Sequence, residues 1–284
     1  MKNFMSFALL LWSALLLVAC EKLLDKDAPS VADDANVVLQ LSCYEVSPIS
    51  TRSIRDISQM CSRVGVAFFK DGTKVKTVRQ TVGDEGFGTV AATLEEGTYE
   101  VVVIAHNCDG ASTITSPEKV TFPNNVVSDT FYYYGTLTAT SDRQTFQYQM
   151  TRVVAMFRLT LEQPLPAEAK KLWFYYTGGS STFSPALGYG CVNSRQTVTL
   201  NVAAGQQTFE VYTMPHEEND ELKIQVRVMG ETDNILNELT FENVPVARNH
   251  VTTYKGSFMG SSSNAYTFSL TGESDWAGID VYTF

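Results

Sequence analysis

Along residues 222–228, Leu222, Ile224, Val226 and Val228 alternate with Lys223, Gln225 and Arg227. A period of two is the signature of a strand with one buried face, because successive side chains of a strand point to opposite sides. Val64, Val66 and Phe68 alternate in the same way and run into Lys70-Asp71-Gly72-Thr73, a hairpin turn signal. Residues 99–105 (YEVVVIA) form an unbroken, β-branched run, the pattern of a strand buried on both faces. The same reading predicts strands near 37–44, 130–138, 145–161, 171–177, 197–202, 207–213, 235–241, 250–258, 266–270 and 279–283. No capped, amphipathic stretch is long enough for an ordinary helix; short helical turns are predicted around 56–62 or 164–171. Many short strands separated by turn residues point to an all-β chain built of antiparallel sandwiches.

The N-terminus carries a different signal. Lys2 is followed by an almost wholly apolar run over residues 4–18, ending in Leu17-Val18-Ala19-Cys20. A positive start, an apolar segment of this length and a small residue before the break mark a secretory signal peptide. The run stops at Glu21 and Lys22, short of the roughly 20 apolar residues that a membrane span needs. Leu-Val-Ala-Cys looks like a bacterial lipobox, in which Cys20 receives lipid and residues 1–19 are removed. Several acyl chains on one Cys would hold stably, since each buried CH₂ contributes about 0.8 kcal/mol and a single chain is marginal. Residues 20–36 then read as the lipidated Cys and a polar, flexible tether, with Pro29 and the pair Asp33-Asp34.

The mature chain is long enough for two domains of modest size. A net charge of −10 disfavours nucleic acid and anionic lipid headgroups, because neutralising phosphate needs clustered Lys and Arg. The hydrophobic fraction of 44% is ample for real cores. Cys43, Cys61, Cys108 and Cys191 show no zinc-ligand spacing; an exported compartment permits disulfides, but their pairing stays open. Two loose correspondences suggest tandem copies: residues 94–106 against 202–216, and 122–137 against 241–258. They place a boundary between Leu137 and Thr151, giving domains at 37–143 and 144–284.

A constellation for catalysis is missing. His106, His216 and His250 form no H-E-x-x-H, and Gly178-Gly179-Ser180-Ser181 is not a nucleophile elbow. The glycine-rich 83–88 lies between strand signals with no helix behind it, so it is no phosphate cradle. Oxygen-rich turns at 107–110 and 217–220 follow no calcium-loop spacing. No enzyme activity, cofactor or metal is therefore expected. The aromatic clusters 131–134 and 173–176 invite a glycan platform, but alternate members of a strand face opposite ways and half of each cluster should fill a core.

Thr151-Arg152-Val153-Val154-Ala155 resembles the R-x-x-A motif that opens the C-terminal domain of fimbrillin-type proteins. Arg248-Asn249-His250-Val251-Thr252-Thr253-Tyr254-Lys255-Gly256 resembles that family's R-N-x-x-T-x-x-x-G strand. With Gly97-Thr98-Tyr99 and the lipobox, the chain is similar to FimB-like fimbrial anchor and minor-subunit lipoproteins of Bacteroidales type V pili. The resemblance implies two tandem transthyretin-like β-sandwiches and a non-catalytic outer-membrane lipoprotein that anchors or joins fimbriae at the cell surface. Its implied partners are other fimbrial subunits and, through the lipid, the membrane. In stalk subunits of the family, cleavage after an Arg opens a groove for a neighbour's strand; Arg52 and Arg55 lie in a polar stretch here, and an anchor is expected to stay uncut. Ile279, Val281 and Thr283 alternate at the C-terminus and are the candidate strand-pairing residues. The alternative function is a surface lipoprotein binding a glycan or host ligand with the same sandwiches.

Overall fold

The computed structural model describes residues 34–45, 53–257 and 276–284. The leader, Cys20 and the strand expected at 266–270 lie outside the described residues. The first half contains β1 (Val37–Glu45), β2 (Ser53–Asp56), β3 (Arg63–Lys70), β4 (Thr73–Thr81), β5 (Thr89–Ala92) and β6 (Gly97–His106). After it come the short β7 (Thr113–Ser116) and β8 (Lys119–Thr121), then β9 (Thr130–Ala139) and β10 (Gln144–Arg152). The second half contains β11 (Ala155–Leu161), β12 (Lys171–Thr177), β13 (Thr182–Ser184), β14 (Tyr189–Gly190) and β15 (Gln196–Asn201). It ends with β16 (Thr208–Thr213), β17 (Asp220–Met229), β18 (Ile235–Val246), β19 (His250–Gly256) and β20 (Gly278–Thr283).

The all-β expectation holds, and local chemistry explains its clearest parts. At the β3–β4 hairpin Asp71 and Gly72 take φ of 51° and 73°, the paired positive values of a two-residue turn that matches strand twist. Residues 101–106 of β6 are buried on both faces, as their continuous apolar run predicts. Around 56–62 there is a single 3₁₀ turn, Ile57–Gln59, capped by the Asp56 carboxylate, which accepts from the Ser58 N–H. Residues 164–171 hold a turn closed by the Ala169 N–H on the Pro166 carbonyl rather than a helix. The strand expected over 145–161 is broken at Val153-Val154, whose side chains drop into a core and separate β10 from β11.

Two halves share one strand plan. In the first, β4-β3-β6-β9 form one layer, and β1 pairs parallel with β10 and antiparallel with β5. In the second, β15-β12-β17-β18 form one layer, and β11 pairs parallel with β19 and antiparallel with β16. The sheets are thus mixed rather than purely antiparallel: in each half the first strand closes beside the last full strand of its own repeat. Such parallel neighbours need a long crossover, so nothing local in the sequence announces them. This plan equates β6 with β17 and β10 with β19, so the residue matches that first suggested a repeat run out of step with it. It also puts the change of half at Val153-Val154, one strand beyond the expected 143/144 boundary. Among the described residues β20 has no counterpart in the first half.

Three apolar clusters fill the molecule. One lies inside the first sandwich, with Leu39, Phe68 and Val103; one lies inside the second, with Phe157, Phe174 and Ile224. The third joins the outward faces of β3 and β6 (Phe69, Val102, Ile104) to Val154, Met156, Val251, Ile279 and Val281 from the second half. Because this middle cluster belongs to both halves, they should lose stability together. Ile104→Ala, in the first half, should cost about 2–4 kcal/mol. The change should also move the denaturant midpoint of the fluorescence of Trp173 and Trp276, both in the second half. An unchanged tryptophan midpoint would show two independent units.

Candidate functional site

Along β10 the inward series is Tyr148, Met150 and Arg152. Alternation thus carries a guanidinium into a core-facing position, where Arg152 is only 4% exposed. A charge so enclosed must be answered by partners. Its Nε and Nη2 donate to the two carboxylate oxygens of Asp129 at 2.7 and 2.9 Å, a bidentate fork, and Nη1 donates to Asn249 Oδ1 at 3.2 Å. The guanidinium carbon lies 4.1 Å from the ring centre of Trp276 and 4.7 Å from that of Phe131, the geometry of cation–π attraction.

Backbone bonds converge on the same spot. The Asn249 N–H donates to Val154 O at 2.8 Å, the Ala277 N–H to Asn249 O at 2.9 Å, and the Val153 N–H to Thr130 O at 3.0 Å. Asn249 sits at φ 61°, a left-handed conformation that Asn tolerates better than most residues. The Arg of R-x-x-A and the Asn of R-N, far apart in sequence, therefore meet in one cluster. Asp129 and Trp276 complete it, and the sequence did not single them out. The available signal was Trp276 itself, a lone aromatic in a polar run just before the terminal alternation.

Arg248 turns away from this cluster. Its Nη1 donates to Gly188 O at 3.0 Å, and its guanidinium stacks over Tyr189 at 5.0 Å. It borders a polar cleft of about 420 Å³ lined by Tyr189, Asp220, Pro245, Arg248, His250 and Asp280.

The candidate pairing strand is β20. It runs parallel to β19 in the sheet order β16-β11-β19-β20, with Ile279 opposite Val251, Val281 opposite Thr253 and Thr283 opposite Lys255. Ile279 and Val281 face the middle cluster. On the opposite side Tyr282 stacks on Tyr254 at 4.9 Å, and Phe284 meets Phe241 edge-on at 5.0 Å. The expected alternation is real, and within this chain both faces are packed.

The remaining polar candidates have structural partners. His106 is buried, accepts from the Cys108 N–H at 3.1 Å, and has its pKa pushed down to about 4 by burial and then by the Arg63 charge. His216 lies 3.0 Å from Asp220, whose carboxylate also receives the His216 N–H, so the 217–220 turn holds itself together. Ser180 donates to Thr182 O. Among the described residues no three His, Cys, Asp or Glu side chains gather as a metal site. Of the aromatic runs, Phe131, Phe174 and Tyr176 are core residues. Trp173 and Tyr175 point outward and stack on each other at 5.8 Å, with Arg227 4.6 Å over Trp173.

Arg152→Met should cost about 3–5 kcal/mol, because it leaves the enclosed Asp129 carboxylate without its fork. Arg152→Lys should lose much of the same stability, since an ammonium cannot reproduce the bidentate, stacked geometry. In the Arg152→Met background, Asp129→Asn should restore part of the loss. Denaturant midpoints of the single and double variants measure this, and strictly additive costs would mean that the two side chains are not coupled.

The sequence profile of the family described as fimbrillin-A associated anchor proteins Mfa1 and Mfa2 matches residues 34–281. No curated protein matches the chain. Among solved structures, a candidate adhesin from Bacteroides ovatus is 12% identical, with 76% of this chain and 78% of that one covered and a TM-score of 0.49. A fimbrial assembly protein from Parabacteroides distasonis is 14% identical, with coverages of 81% and 94% and a TM-score of 0.41. The fimbrial anchor protein Mfa2 from Porphyromonas gingivalis is 10% identical, with coverages of 72% and 81% and a TM-score of 0.38.

Proposed function

The chain belongs to the fimbrillin-A associated anchor protein family, and on that premise we propose that it is a non-catalytic lipoprotein that holds fimbriae to the outer membrane. Membership makes it a fimbrial or adhesin-type protein; the finer role is our reading. Lipid on Cys20 would fix the N-terminus in the membrane, the stretch up to Asn36 would act as a tether, and the paired sandwiches would meet a neighbouring fimbrial subunit at the cell surface. The observation that carries this reading is the family match together with the junction it spans, where both motif residues, Arg152 and Asn249, are tied to the root of β20.

Joining would proceed by β-strand pairing, in which main-chain hydrogen bonds supply affinity and alternate side chains supply register. Ile279, Val281 and Thr283 of β20 are the candidate residues. β20 is the strand that the internal repeat leaves over among the described residues, and exchanging it would mean withdrawing Ile279 and Val281 from the middle cluster and Tyr282 and Phe284 from the second sandwich. The alternative, glycan binding, would look to Trp173 and Tyr175. Their facing rings cover one another, and Arg227 lies over Trp173. One face of Trp173 is thus taken by Arg227, and the assembly reading, which the family match supports, is preferred.

Cys20→Ala should move the protein from membrane to soluble fractions with its thermal stability unchanged; a variant that stays fully membrane-bound would end the lipoprotein reading. For the strand, Lys255→Cys with Thr283→Cys would staple facing positions of β19 and β20. The oxidised variant should fold normally yet fail to retain fimbriae, and reductant should restore retention. Normal retention with the staple closed would rule out exchange of β20.

A further inference from the structure

Two thiols meet inside the first sandwich. Cys43 ends the inward series Val37, Leu39, Leu41, Cys43 of β1 and is 1% exposed; Cys61 follows the 3₁₀ turn and is 3% exposed. Both belong to the same apolar cluster, where they stand as free thiols and Cys43 is near enough to act on the Cys61 thiol. The turn is pressed against β1: a Cβ placed on Gly88 would come within 2.4 Å of the Ile57 side chain and 3.9 Å of the Leu41 carbonyl. The Cys61 N–H is fixed on Ile57 O at 2.8 Å. The other thiols look elsewhere. Cys108 Sγ contacts Val126 O and Ser128 Oγ at 3.3 and 3.2 Å, and Cys191 Sγ lies 3.7 Å from both Glu118 O and Thr182 O.

We propose that Cys43 and Cys61 are joined by a disulfide as the chain folds in an exported, oxidising compartment. One thiolate attacks a disulfide-bearing exchange oxidant to form a mixed disulfide. The second thiolate then displaces the oxidant's sulfur, so the S–S bond forms here and the oxidant leaves as a dithiol carrying the electron pair and the two thiol protons. In the closed core the neighbouring thiol and burial raise the Cys61 pKa far above its usual range. The reactive thiolate is then scarce, so exchange takes place before the core closes. The bond closes a covalent ring around β2 that includes Arg52 and Arg55. A backbone cut after either Arg would leave β1 attached to the body of the protein, which keeps a membrane-held N-terminus connected to the fold.

This inference rests on the export contained in the proposed function, and mass spectrometry separates the two. The protein is taken from native membranes, denatured without reductant in the presence of an alkylating agent, and digested with trypsin. The Asp56–Arg63 peptide should be linked to the peptide ending at Arg52, with Cys108 and Cys191 alkylated. Reduction should separate the pair and lower Tm by roughly 5–10 °C, a fall that the Cys43→Ala/Cys61→Ala double variant should not show. Alkylated Cys43 and Cys61 in a chain whose leader has been removed, or a link from Cys61 to another Cys, would overturn the disulfide while leaving export intact. A chain that keeps its leader would refute export instead. The same mapping after refolding in glutathione disulfide buffer then decides the bond, with a Cys43–Cys61 link supporting it and its absence ending it.

Discussion

Arg152 is almost wholly withdrawn from water, so its charge has to be answered inside the protein. Desolvating a guanidinium costs several kcal/mol unless its donors are taken up in good geometry. The Asp129 fork, the Asn249 amide oxygen and the rings of Trp276 and Phe131 take up that demand from several directions. The partners come from three separate stretches of chain: Asp129 with Phe131, Asn249, and Trp276. Satisfying one side chain therefore fixes the start of β9, the crossing between the halves, the β18–β19 turn and the approach to β20.

The two halves repeat one strand plan, yet they do not stand as separate beads. The outward faces of β3 and β6 would be exposed apolar surface if the first sandwich stood alone. Instead they are covered by β11, β19, β20 and the short strands β7, β8 and β13, the last three belonging with β14 to a sheet drawn from both halves. This is why the run at 101–106 can be apolar on both faces. The middle cluster, drawn from both halves, packs them against one another.

In the proposed role a pull on the fimbria enters the fold through β1. That strand is well placed to bear it, because it pairs with β10 from Val37 to Cys43 and with β5 and β2 on its other edge. A load along parallel strands shears many hydrogen bonds at once instead of opening them singly. β20, at the opposite end of the sequence, is held through Trp276, Ile279 and Val281. β1 thus belongs to the first half and β20 to the second.

Much of this was legible in the sequence because it is written locally. Alternation located β3, β17 and β20, the Asp71-Gly72 dipeptide specified its hairpin, and the continuous run at 99–105 marked a strand with two buried faces. The motif residues Arg152 and Asn249 were visible too, as was the alternation of Ile279, Val281 and Thr283. Several features were not. The parallel closures β1–β10 and β11–β19 join segments separated by most of a half, and strand patterning has no term for its partner. Val153 and Val154 read as more strand, because an apolar pair looks the same whether it extends a sheet or turns into a neighbouring core. Asp129 and Trp276 gain their meaning only from Arg152, and the meeting of Cys43 with Cys61 depends on a 3₁₀ turn packing against β1. Periodicity decides which way a side chain points, and the sequence carries it alone. Which groups share a buried volume, and so which charges and thiols must answer one another, is decided only when distant strands close the same core.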